Sequence, residues 1–499
     1  MEKYCFAIFI LLSSLLLKWL LNPITSTHKY KKNLPPSPPK LPIIGHLHCF
    51  GTHPHRSLKS LSRRYGPIML LKLGSTPAVV ISSAAAAKEI MKTHDLVFAT
   101  PPELQNSRKL LYDLKDVVAA PYGEYWRQLK SICVLQLLSN HKVKSFRSVR
   151  EEEVVLMVER IEEAKGKNIP VNLSETFSKI ANDVLCRVLM GRKYDEGDGR
   201  SLRRLIMEFL RLLGTLSVED FLPWLGWINK VNGLDTTVNR VAKEMDKFLE
   251  EVVNERMQEG SDEIIGGKRK ENFLDILLRI HMSQEPGVFI DKDSVKALLV
   301  DMLLGGTTTT STVTEWAMTE LMRHPKTMKE LQTEVRNVAN GKSMIAEEDI
   351  QNMPYLRAVI KETLRYHTPI PLLPPRLATQ DVNVNGYDIA AGTMVFINKW
   401  AISRDPLSWE NPDEFKPERF MNSKVDYKGH HFEFIPFGAG RRGCPGISFG
   451  IAVNELTLAN IVNKFNWVLP DGKDGENLDV DECIGFTIHR KTPLIALAT

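Results

Sequence analysis

Cysteine is scarce in this chain of 499 residues, and the six that occur lie far apart: Cys5, Cys49, Cys133, Cys186, Cys444 and Cys483. Disulfide scaffolds and zinc ribbons need cysteines at short, clustered spacings, so neither organises this fold. The scarcity also indicates a reducing compartment, where a single cysteine is available for chemistry rather than for cross-linking.

Long runs of one charge are also missing, and the formal net charge is only +5. Because no Lys/Arg block of the kind that follows a phosphate backbone occurs, we expect no nucleic-acid partner. Internal repeats, low-complexity tracts and Gly/Ser-rich linkers are absent after residue 45. Although the length alone suggests about three domains, the sequence therefore favours one large domain over residues 46–499, with enough hydrophobic residues for a substantial core.

A long apolar run lies at the N-terminus. Tyr4 to Leu17 contains no charged residue, and the apolar residues beyond Lys18 extend the run to the lower limit for crossing a bilayer. We therefore predict a transmembrane signal anchor over residues 1–21. A cleaved signal peptide is the alternative, but no small-x-small cleavage pattern follows closely. The basic residues that come next predict that the rest of the chain faces the cytosol.

A basic and proline-rich hinge is predicted over residues 22–45. Its centre, from Pro35 to Pro42, contains five prolines. Proline fixes φ and lacks a backbone N–H, so this stretch cannot be helical and is expected to act as a stiff spacer between membrane and domain. A ligand for an SH3-type domain is the alternative for such a segment.

The rest of the chain has mainly helical periodicity. Apolar residues recur every three or four positions over residues 143–164, 202–213, 238–257 and 328–338. Short alternating strands are predicted at residues 68–73, 78–82 and 393–397.

One unusually long helix is predicted from Ser294 to Met322. Gly305 to Thr312 interrupts it with two glycines and a run of threonine and serine, which have poor helix propensity. A threonine hydroxyl can bond a carbonyl one turn earlier, so this segment is a candidate groove for a small ligand. A kinked core helix with satisfied hydroxyls is the alternative.

The loop around Cys444 has a setting suited to chemistry. Residues 437–446 read F-G-A-G-R-R-G-C-P-G and follow a strand-like run, Phe432 to Pro436. Nearby arginines, loop amides and the start of a following helix are expected to favour the thiolate of Cys444. Glycines also let the backbone pass close to a flat ligand, so the loop suits haem iron.

Three other interpretations fit parts of this loop. Residues 438–443 fit the G-x-G-x-x-G dinucleotide pattern, but too little chain follows for the further βαβ units. A zinc site would need more ligands than His430 and His431 supply. An inert buried cysteine in a turn is the third possibility.

The same loop resembles the haem loop of the cytochrome P-450 family. Five residues stand in the family's F-x-x-G-x-R-x-C-x-G order: Phe437, Gly440, Arg442, Cys444 and Gly446. Three further motifs occur in the expected order upstream. Glu362 and Arg365 match an E-x-x-R helix, Pro417–Phe420 matches the P-E-R-F segment with Arg419, and the run at 305–310 matches the helix that crosses the haem.

This resemblance implies a fold class that is mainly α with small β-sheets, in one large domain behind an N-terminal membrane anchor. It implies haem b with the Cys444 thiolate as axial ligand. Candidate cofactor-binding residues matched to family positions are Trp126, Arg127, Arg376, Phe437 and Arg442. Glu362, Arg365 and Arg419 would form a buried structural cluster behind the haem. Thr309 is the candidate catalytic residue for proton delivery, although Thr308 stands where the family usually has an acid.

The implied activity is that of a membrane-anchored haem-thiolate monooxygenase that oxidises a small lipophilic plant metabolite, such as a terpenoid, alkaloid or phenylpropanoid. The implied partners are O2, an NADPH-dependent cytochrome P-450 reductase and the endoplasmic reticulum membrane, and the chain is expected to be monomeric. The pocket should be lined from residues 101–116, 297–305, 367–373 and 484–487. A haem-thiolate enzyme with an atypical outcome, such as cyclisation, desaturation or hydroperoxide rearrangement, and a non-catalytic haem protein are the alternatives.

Overall fold

The computed structural model describes residues 13–14, 33–194, 202–259, 271–283, 290–472, 475–483 and 485–499. The predicted anchor lies outside these ranges except for Ser13 and Ser14, and the predicted hinge is described from Asn33 onward. Within the described ranges, no helix combines the length and the apolar character that crossing a bilayer requires.

Helices make up most of the described chain. In chain order they are α1 Pro54–Tyr65, α2 Ala84–Lys88, α3 Gln105–Leu110, α4 Glu124–Ser131, α5 Asn140–Ser145, α6 Arg147–Gly166, α7 Leu173–Met190, α8 Leu202–Leu213, α9 Val218–Phe221, α10 Trp227–Val231, α11 Leu234–Glu259, α12 Phe273–Met282, α13 Lys292–Arg323, α14 Pro325–Ala339, α15 Pro354–Tyr366, α16 Lys399–Ile402 and α17 Ile447–Lys464. The π-helical turns Glu89–Thr93 and Ile132–Leu137 continue α2 and α4.

Three small sheets complete the fold. The strands are β1 Ile68–Leu73, β2 Thr76–Ile81, β3 Val171–Asn172, β4 Arg376–Leu377, β5 Val382–Val384, β6 Tyr387–Ile389, β7 Met394–Ile397, β8 Trp467–Val468 and β9 Ile495–Ala498. One sheet has the order β1-β2-β7-β4, a second β3-β9-β8, and β5 pairs with β6. In the first sheet β2 and β7 are parallel, with Ala78 opposite Met394, and the other pairs are antiparallel. The prediction of a mainly α fold with small sheets is confirmed.

The long helix α13 runs through the core and packs against α7, α15 and α17. Most of its residues from Ser294 to Met322 are buried, so it has no solvent-facing stripe along most of its length. Gly306 lets α7 approach closely, because a Cβ at this position would lie 2.9 Å from the Leu185 side chain. The packing of α7 therefore depends on a glycine in the threonine-rich segment.

The predicted interruption of this helix is wrong, since α13 continues through Gly305 and the threonines without a break. Tertiary packing overrides their poor helix propensity. The expected back-bonding is present: the hydroxyl of Thr308 donates to the Leu304 carbonyl at 3.3 Å, and that of Thr309 donates to the Gly305 carbonyl.

Two other local predictions need correction. The run Phe432 to Pro436 forms turns and not a strand, because none of these residues pairs with a neighbouring strand. The helix predicted over 143–164 is divided in two at Phe146, whose ring is buried against Phe273 with the centroids 5.4 Å apart. Elsewhere the predicted helices and strands match the observed ones to within a few residues.

The described part of the hinge lies against the sheets. The backbone N–H of Asn33 donates to the Asp388 carboxylate at 2.9 Å, and the Asp388 N–H donates to the Asn33 carbonyl at 2.8 Å. Further along, the Leu70 N–H donates to the Pro36 carbonyl at 2.9 Å. The polyproline stretch therefore leaves the body of the protein in a fixed direction.

Glu362 and Arg365 on α15 form the centre of a buried ionic network. Both are 0% exposed, and Arg365 binds the two carboxylate oxygens of Glu362 at 2.7 and 2.8 Å. Arg419 donates to the same carboxylate at 3.1 Å, and so does the Lys416 N–H at 2.7 Å. Arg365 also donates to three backbone carbonyls between residues 403 and 414. The network ties the segment before the Cys444 loop to α15.

Replacing Glu362 with Ala should leave two buried guanidinium groups without their counter-charge. Because removing one partner of a buried pair typically costs about 3–5 kcal/mol, the urea midpoint of unfolding, measured by circular dichroism, should fall sharply. Glu414→Gln is the matched control, since the Glu414 side chain is exposed and only its backbone carbonyl joins the network. Equal midpoints for the two variants would contradict this account.

Candidate active site

A largely apolar cavity of about 320 Å³ separates α13 from the Cys444 loop. On the α13 side it is lined by Asp301, Gly305 and Thr309, and on the opposite side by Phe437 and Cys444. Leucines from α8 and α7, together with Ile370, Leu373 and Phe486, supply much of the remaining apolar wall. The arrangement places the Cys444 sulfur and the Thr309 hydroxyl in the wall of one largely apolar cavity.

The loop geometry presents the Cys444 side chain to this cavity. The Cys444 N–H donates to the Phe437 carbonyl at 3.0 Å, and the Gly446 N–H donates to the sulfur at 3.3 Å. Gly440 has φ +69°, and a Cβ there would lie 2.2 Å from the Met91 carbonyl oxygen. A glycine is therefore required where the loop turns against the segment that follows α2.

The electrostatic setting of the sulfur differs from the expectation that neighbouring arginines favour the thiolate. Burial raises the pKa of the Cys444 thiol, whereas the Gly446 N–H and the ammonium groups of Lys130 and Lys399 oppose that rise. The cations that act on the sulfur are thus two lysines. Arg442, two residues away, is directed at backbone carbonyls instead.

Arg442 connects the cysteine loop to the loop on the other side of the cavity. Its guanidinium donates to the carbonyls of Ala99 at 2.6 Å and Val117 at 2.9 Å, and also to that of Ala120. It lies over the Trp126 ring, 4.2 Å from the centroid. The Trp126 indole N–H donates to the same Val117 carbonyl at 2.9 Å. The structure therefore brings two predicted residues, Trp126 and Arg442, together at one edge of the cavity.

Arg376 and Phe437 also line the cavity. Arg376 is buried, and its guanidinium donates to the Ala439 carbonyl at 3.3 Å and lies 3.9 Å from the Asp95 carboxylate. Burial lowers the pKa of Arg376 to about 10, which leaves it cationic at neutral pH. The Phe437 ring packs edge-on against Tyr427, with the centroids 5.7 Å apart.

Arg127 is the predicted site residue that the structure does not bring to the cavity. It is exposed, and its guanidinium lies 5.9 Å from the Tyr122 ring centroid. Lys130, which the sequence reasoning missed, lines the cavity and donates to the Gly443 carbonyl at 2.6 Å. Helical spacing could have identified Lys130 from the sequence, because residues four apart on a helix share a face. The helical spacing therefore predicts that Lys130, and not Arg127, faces the cavity together with Trp126.

The distal face is formed by α13. Thr309 lines the cavity, whereas Thr308 is buried, donates to the Leu304 carbonyl and does not line the cavity. Asp301 is the acidic side chain of α13 that does line it. The position at which the family usually has an acid thus faces the protein interior here.

The expected lining segments are confirmed in part. Pro101, Leu111, Ile370 and Phe486 lie in the wall, but α13 contributes only from Asp301 onward and not from residue 297. Ile484 lies outside the described residues. Sequence reasoning missed the contributions of α7 and α8, because those helices are distant in the chain and have no motif.

Comparison with known proteins decides the family. The sequence profile described as Cytochrome P450 matches residues 35–497. The chain belongs to the cytochrome P-450 family. Cytochromes P-450 are monooxygenases that incorporate one oxygen atom into their substrate, and their fold implies haem iron with a cysteine thiolate as axial ligand. O2, a substrate and an electron-supplying redox partner are general requirements of the family.

Three curated plant relatives cover almost the whole chain. It is 53% identical over 504 residues to "Cytochrome P450 736A117" of Prunus mume, covering 100% of this chain and 96% of the relative. It is 50% identical over 472 residues to norfluorocurarine oxidase of Strychnos sp, covering 93% and 92% respectively. It is 47% identical over 494 residues to (+)-menthofuran synthase of Mentha piperita, covering 99% and 98%.

A solved structure supports the fold independently. The zebra fish cytochrome P-450 structure with abiraterone has a TM-score of 0.74 at 22% identity, covering 90% of this chain and 99% of that chain. At this level of identity the likeness concerns the fold alone.

The residues of the cavity fit haem. Cys444 offers one sulfur with a backbone N–H donor, as suits a thiolate ligand. Haem also carries two propionates, which need cationic partners when buried, and Lys130, Arg376 and Arg442 line the same cavity. Among the described residues, no cluster of three or more His, Cys, Asp or Glu side chains is placed to hold a separate metal ion.

Lys130→Gln should weaken retention of haem, because it removes a cation from the cavity edge and its bond to the Gly443 carbonyl. Arg127→Gln is the matched control, three residues earlier on α4, and should leave retention unchanged. The measurement is the haem content per chain after purification, followed by the rate of haem transfer to apomyoglobin. The expected loss for Lys130→Gln is about tenfold in transfer rate, in line with charged hydrogen bonds of ~1.5 kcal/mol. Faster loss from the Arg127 variant would reverse the assignment.

Proposed function

We propose that this chain is a haem-thiolate monooxygenase, anchored in the endoplasmic reticulum membrane, that uses electrons from an NADPH-dependent reductase to oxidise a small lipophilic plant metabolite. The observation that carries this proposal is the juxtaposition of Cys444 and Thr309 on opposite sides of one apolar cavity. A sulfur ligand on one face and a hydroxyl on the other are what oxygen activation at haem requires from the protein.

The chain's own residues would bind and orient the cofactor. When bound, haem iron supplies activation of O2 and transfer of one oxygen atom to carbon. Cys444 would ligate the iron, with the Gly446 N–H moderating the donor strength of its sulfur. Trp126, Arg376 and Arg442, with Lys130 in place of the predicted Arg127, would hold the propionates, and Phe437 would pack beside the sulfur.

Thr309 would hold and pass the proton that oxygen activation consumes. Its hydroxyl lines the cavity and donates its proton to the Gly305 carbonyl, which leaves the oxygen able to accept from the cavity; rotation of the O–H bond would turn the proton towards the cavity. Thr308 cannot replace the usual acid, because its side chain is neutral and buried away from the cavity. Proton delivery would therefore depend on Thr309 and ordered water.

Substrate class follows from the wall and from the relatives. The cavity wall is largely apolar and offers a substrate few hydrogen-bonding groups. Its apolar side chains include Leu210, Leu213, Ile370, Leu373 and Phe486. The relatives at 50% and 47% identity are named for norfluorocurarine and for (+)-menthofuran. We infer a terpenoid or alkaloid substrate, with a phenylpropanoid as a further possibility.

Membrane attachment is proposed through residues 1–21 as a single-pass anchor, with 22–45 as the hinge and 46–499 as the cytosolic catalytic domain. The apolar N-terminal run and the basic residues after it support this organisation. The fixed path of the chain from Asn33 to Pro38 along the sheets would hold the domain at a defined angle. The chain is proposed to act as a monomer.

An atypical oxidative outcome is the second candidate. Thr308 in place of the acid favours it, because a neutral hydroxyl that donates to the Leu304 carbonyl would deliver protons more slowly than a carboxyl group, and hydroxylation needs those protons. Cyclisation, desaturation and rearrangement would all be compatible with the same cavity.

The function is tested by expressing the chain in microsomes with and without a plant P-450 reductase. The reduced, carbon monoxide-treated protein should show the red-shifted Soret band of thiolate ligation, and Cys444→Ser should lose it. A panel of terpenoids and alkaloids should then include a compound that is oxidised only when both NADPH and reductase are present.

Three results would count against the proposal. Retention of the red-shifted band by Cys444→Ser would exclude this residue as the ligand. Product formation from a hydroperoxide without reductase would favour a rearranging enzyme. Haem binding with no substrate-dependent NADPH consumption across the panel would favour a non-catalytic haem protein.

Thr309→Val should uncouple electron consumption from product formation. The hydroxyl is lost from the cavity while the shape of the side chain is kept, so more of the NADPH should be spent on hydrogen peroxide, by several-fold. Thr308→Val is the matched control, because it removes a neighbouring hydroxyl that faces the Leu304 carbonyl. The measurement is peroxide released per NADPH consumed, and an equal rise in both variants would remove Thr309 from its proposed role.

A further inference from the structure

Two acidic side chains meet beside the cavity, on elements far apart in the sequence. Asp116 lies in the loop between α3 and α4 and is 0% exposed, whereas Asp301 on α13 lines the cavity. Asp301 bonds the backbone N–H of the residue next to Asp116, which brings the two carboxyl groups close enough to interact electrostatically. The Val117 N–H donates to Asp301 at 2.7 Å. The N–H groups of Val118 and Ala119 donate to one oxygen of Asp116, Oδ2, at 3.1 and 3.0 Å.

The second oxygen of Asp116 requires a donor. Oδ1 is buried, and no protein N–H or hydroxyl group among the described residues donates to it. Two carboxylates in contact cannot both ionise in a poorly solvated site. Burial raises the pKa of Asp301 well above its usual range and that of Asp116 to about 6. A proton on Asp301, donated to Oδ1 of Asp116, satisfies every one of these requirements.

The surroundings favour one negative charge on the pair and not two. Tyr125, Lys130 and Cys133 approach from α4 and the turn after it, and Arg442 approaches from the cysteine loop. The ammonium of Lys130 and the guanidinium of Arg442 stabilise one carboxylate, while burial and mutual repulsion oppose a second. Both cations also bond backbone carbonyls, so neither replaces the missing donor to Asp116.

We propose that Asp116 and Asp301 share one proton, and that this hydrogen bond makes Asp301 a positioning residue for the loop formed by residues 116–120. That loop supplies Val117 and Val118 to the cavity wall. The Val117 carbonyl also accepts from both Trp126 and Arg442 at 2.9 Å. Through Asp116, the pair therefore fixes a wall of the cavity and the carbonyl that orients a propionate-binding arginine.

The proton itself is observable by infrared spectroscopy. At neutral pH the difference spectrum between the unmodified protein and Asp301→Asn should contain the carbonyl stretch of one protonated carboxylic acid, shifted in D2O. Other protonated acids, such as Glu455 with its pKa raised to about 7 by burial, cancel in the difference. A difference spectrum without that band would overturn the proposal. This readout does not depend on haem, so it separates the proposal from the proposed function on which its role in the reaction rests.

The positioning role is tested with clotrimazole, an azole that binds haem iron from the substrate side, by titrating the Soret shift. Asp301→Asn should bind it within about twofold of the unmodified protein, because the amide can still donate to Asp116 and accept from Val117. Asp301→Ala should bind it about tenfold more weakly, because it leaves both groups unpaired. Lys115→Gln is the control, since Lys115 immediately precedes this loop and the change removes only partly exposed ion pairs with Asp291 and Asp293.

The outcomes are distinct. Weaker clotrimazole binding by Asp301→Ala, with unchanged binding by Asp301→Asn and Lys115→Gln, supports a positioning hydrogen bond. The positioning role would be overturned if all variants bound clotrimazole equally well, or if Asp301→Asn and Asp301→Ala weakened binding to the same extent. If Asp301→Ala does not fold, the infrared difference still decides whether the proton is shared, and weaker binding by Asp301→Asn would overturn the positioning role.

Discussion

Cationic side chains that donate to backbone carbonyls hold the loop around the sulfur in place. Four of them lie along the cavity: Lys130, Arg376, Lys399 and Arg442. A carbonyl satisfies the hydrogen-bonding need of a cation but does not neutralise it, so each charge remains costly to bury. Burial accordingly lowers the pKa of Lys399 to about 7 and that of Arg442 to about 10. The same groups that rigidify the loop therefore favour an anionic ligand in the cavity.

The sequence predicted the chemistry of the site well because that chemistry is local. A run of ten residues contains the cysteine, its glycines and Arg442, and the backbone geometry of such a run follows from its glycines. The Glu362–Arg365 pair was likewise predictable, since residues three apart on a helix are neighbours. Arg127 was matched to a family position through its place beside Trp126, but it is exposed and outside the cavity lining, whereas Lys130, one helical turn after Trp126, lines the cavity.

What could not be predicted depends on contacts between distant segments. The threonine run of α13 stays helical because α7 packs against Gly306, and no local propensity contains that information. Residues 432–436 resemble a strand in sequence but pair with no strand among the described residues, and a local pattern does not reveal whether a partner strand is present. Asp116 and Asp301 are 185 residues apart, and neither belongs to a motif. Their contact appears only once the loop is folded onto α13.

The acid pair also explains why Asp301 does not compensate for Thr308. A carboxyl on the cavity wall of α13 looks like a substitute proton donor, but Asp301 lies seven residues from Thr308, about 10 Å along the helix axis. Its hydrogen-bonding capacity is also committed to Asp116 and the Val117 N–H. Releasing its proton towards the cavity would leave two adjacent carboxylates in a buried site, which burial opposes. Under the proposed function, proton exchange between this helix and the cavity would therefore fall to the hydroxyl of Thr309 rather than to Asp301.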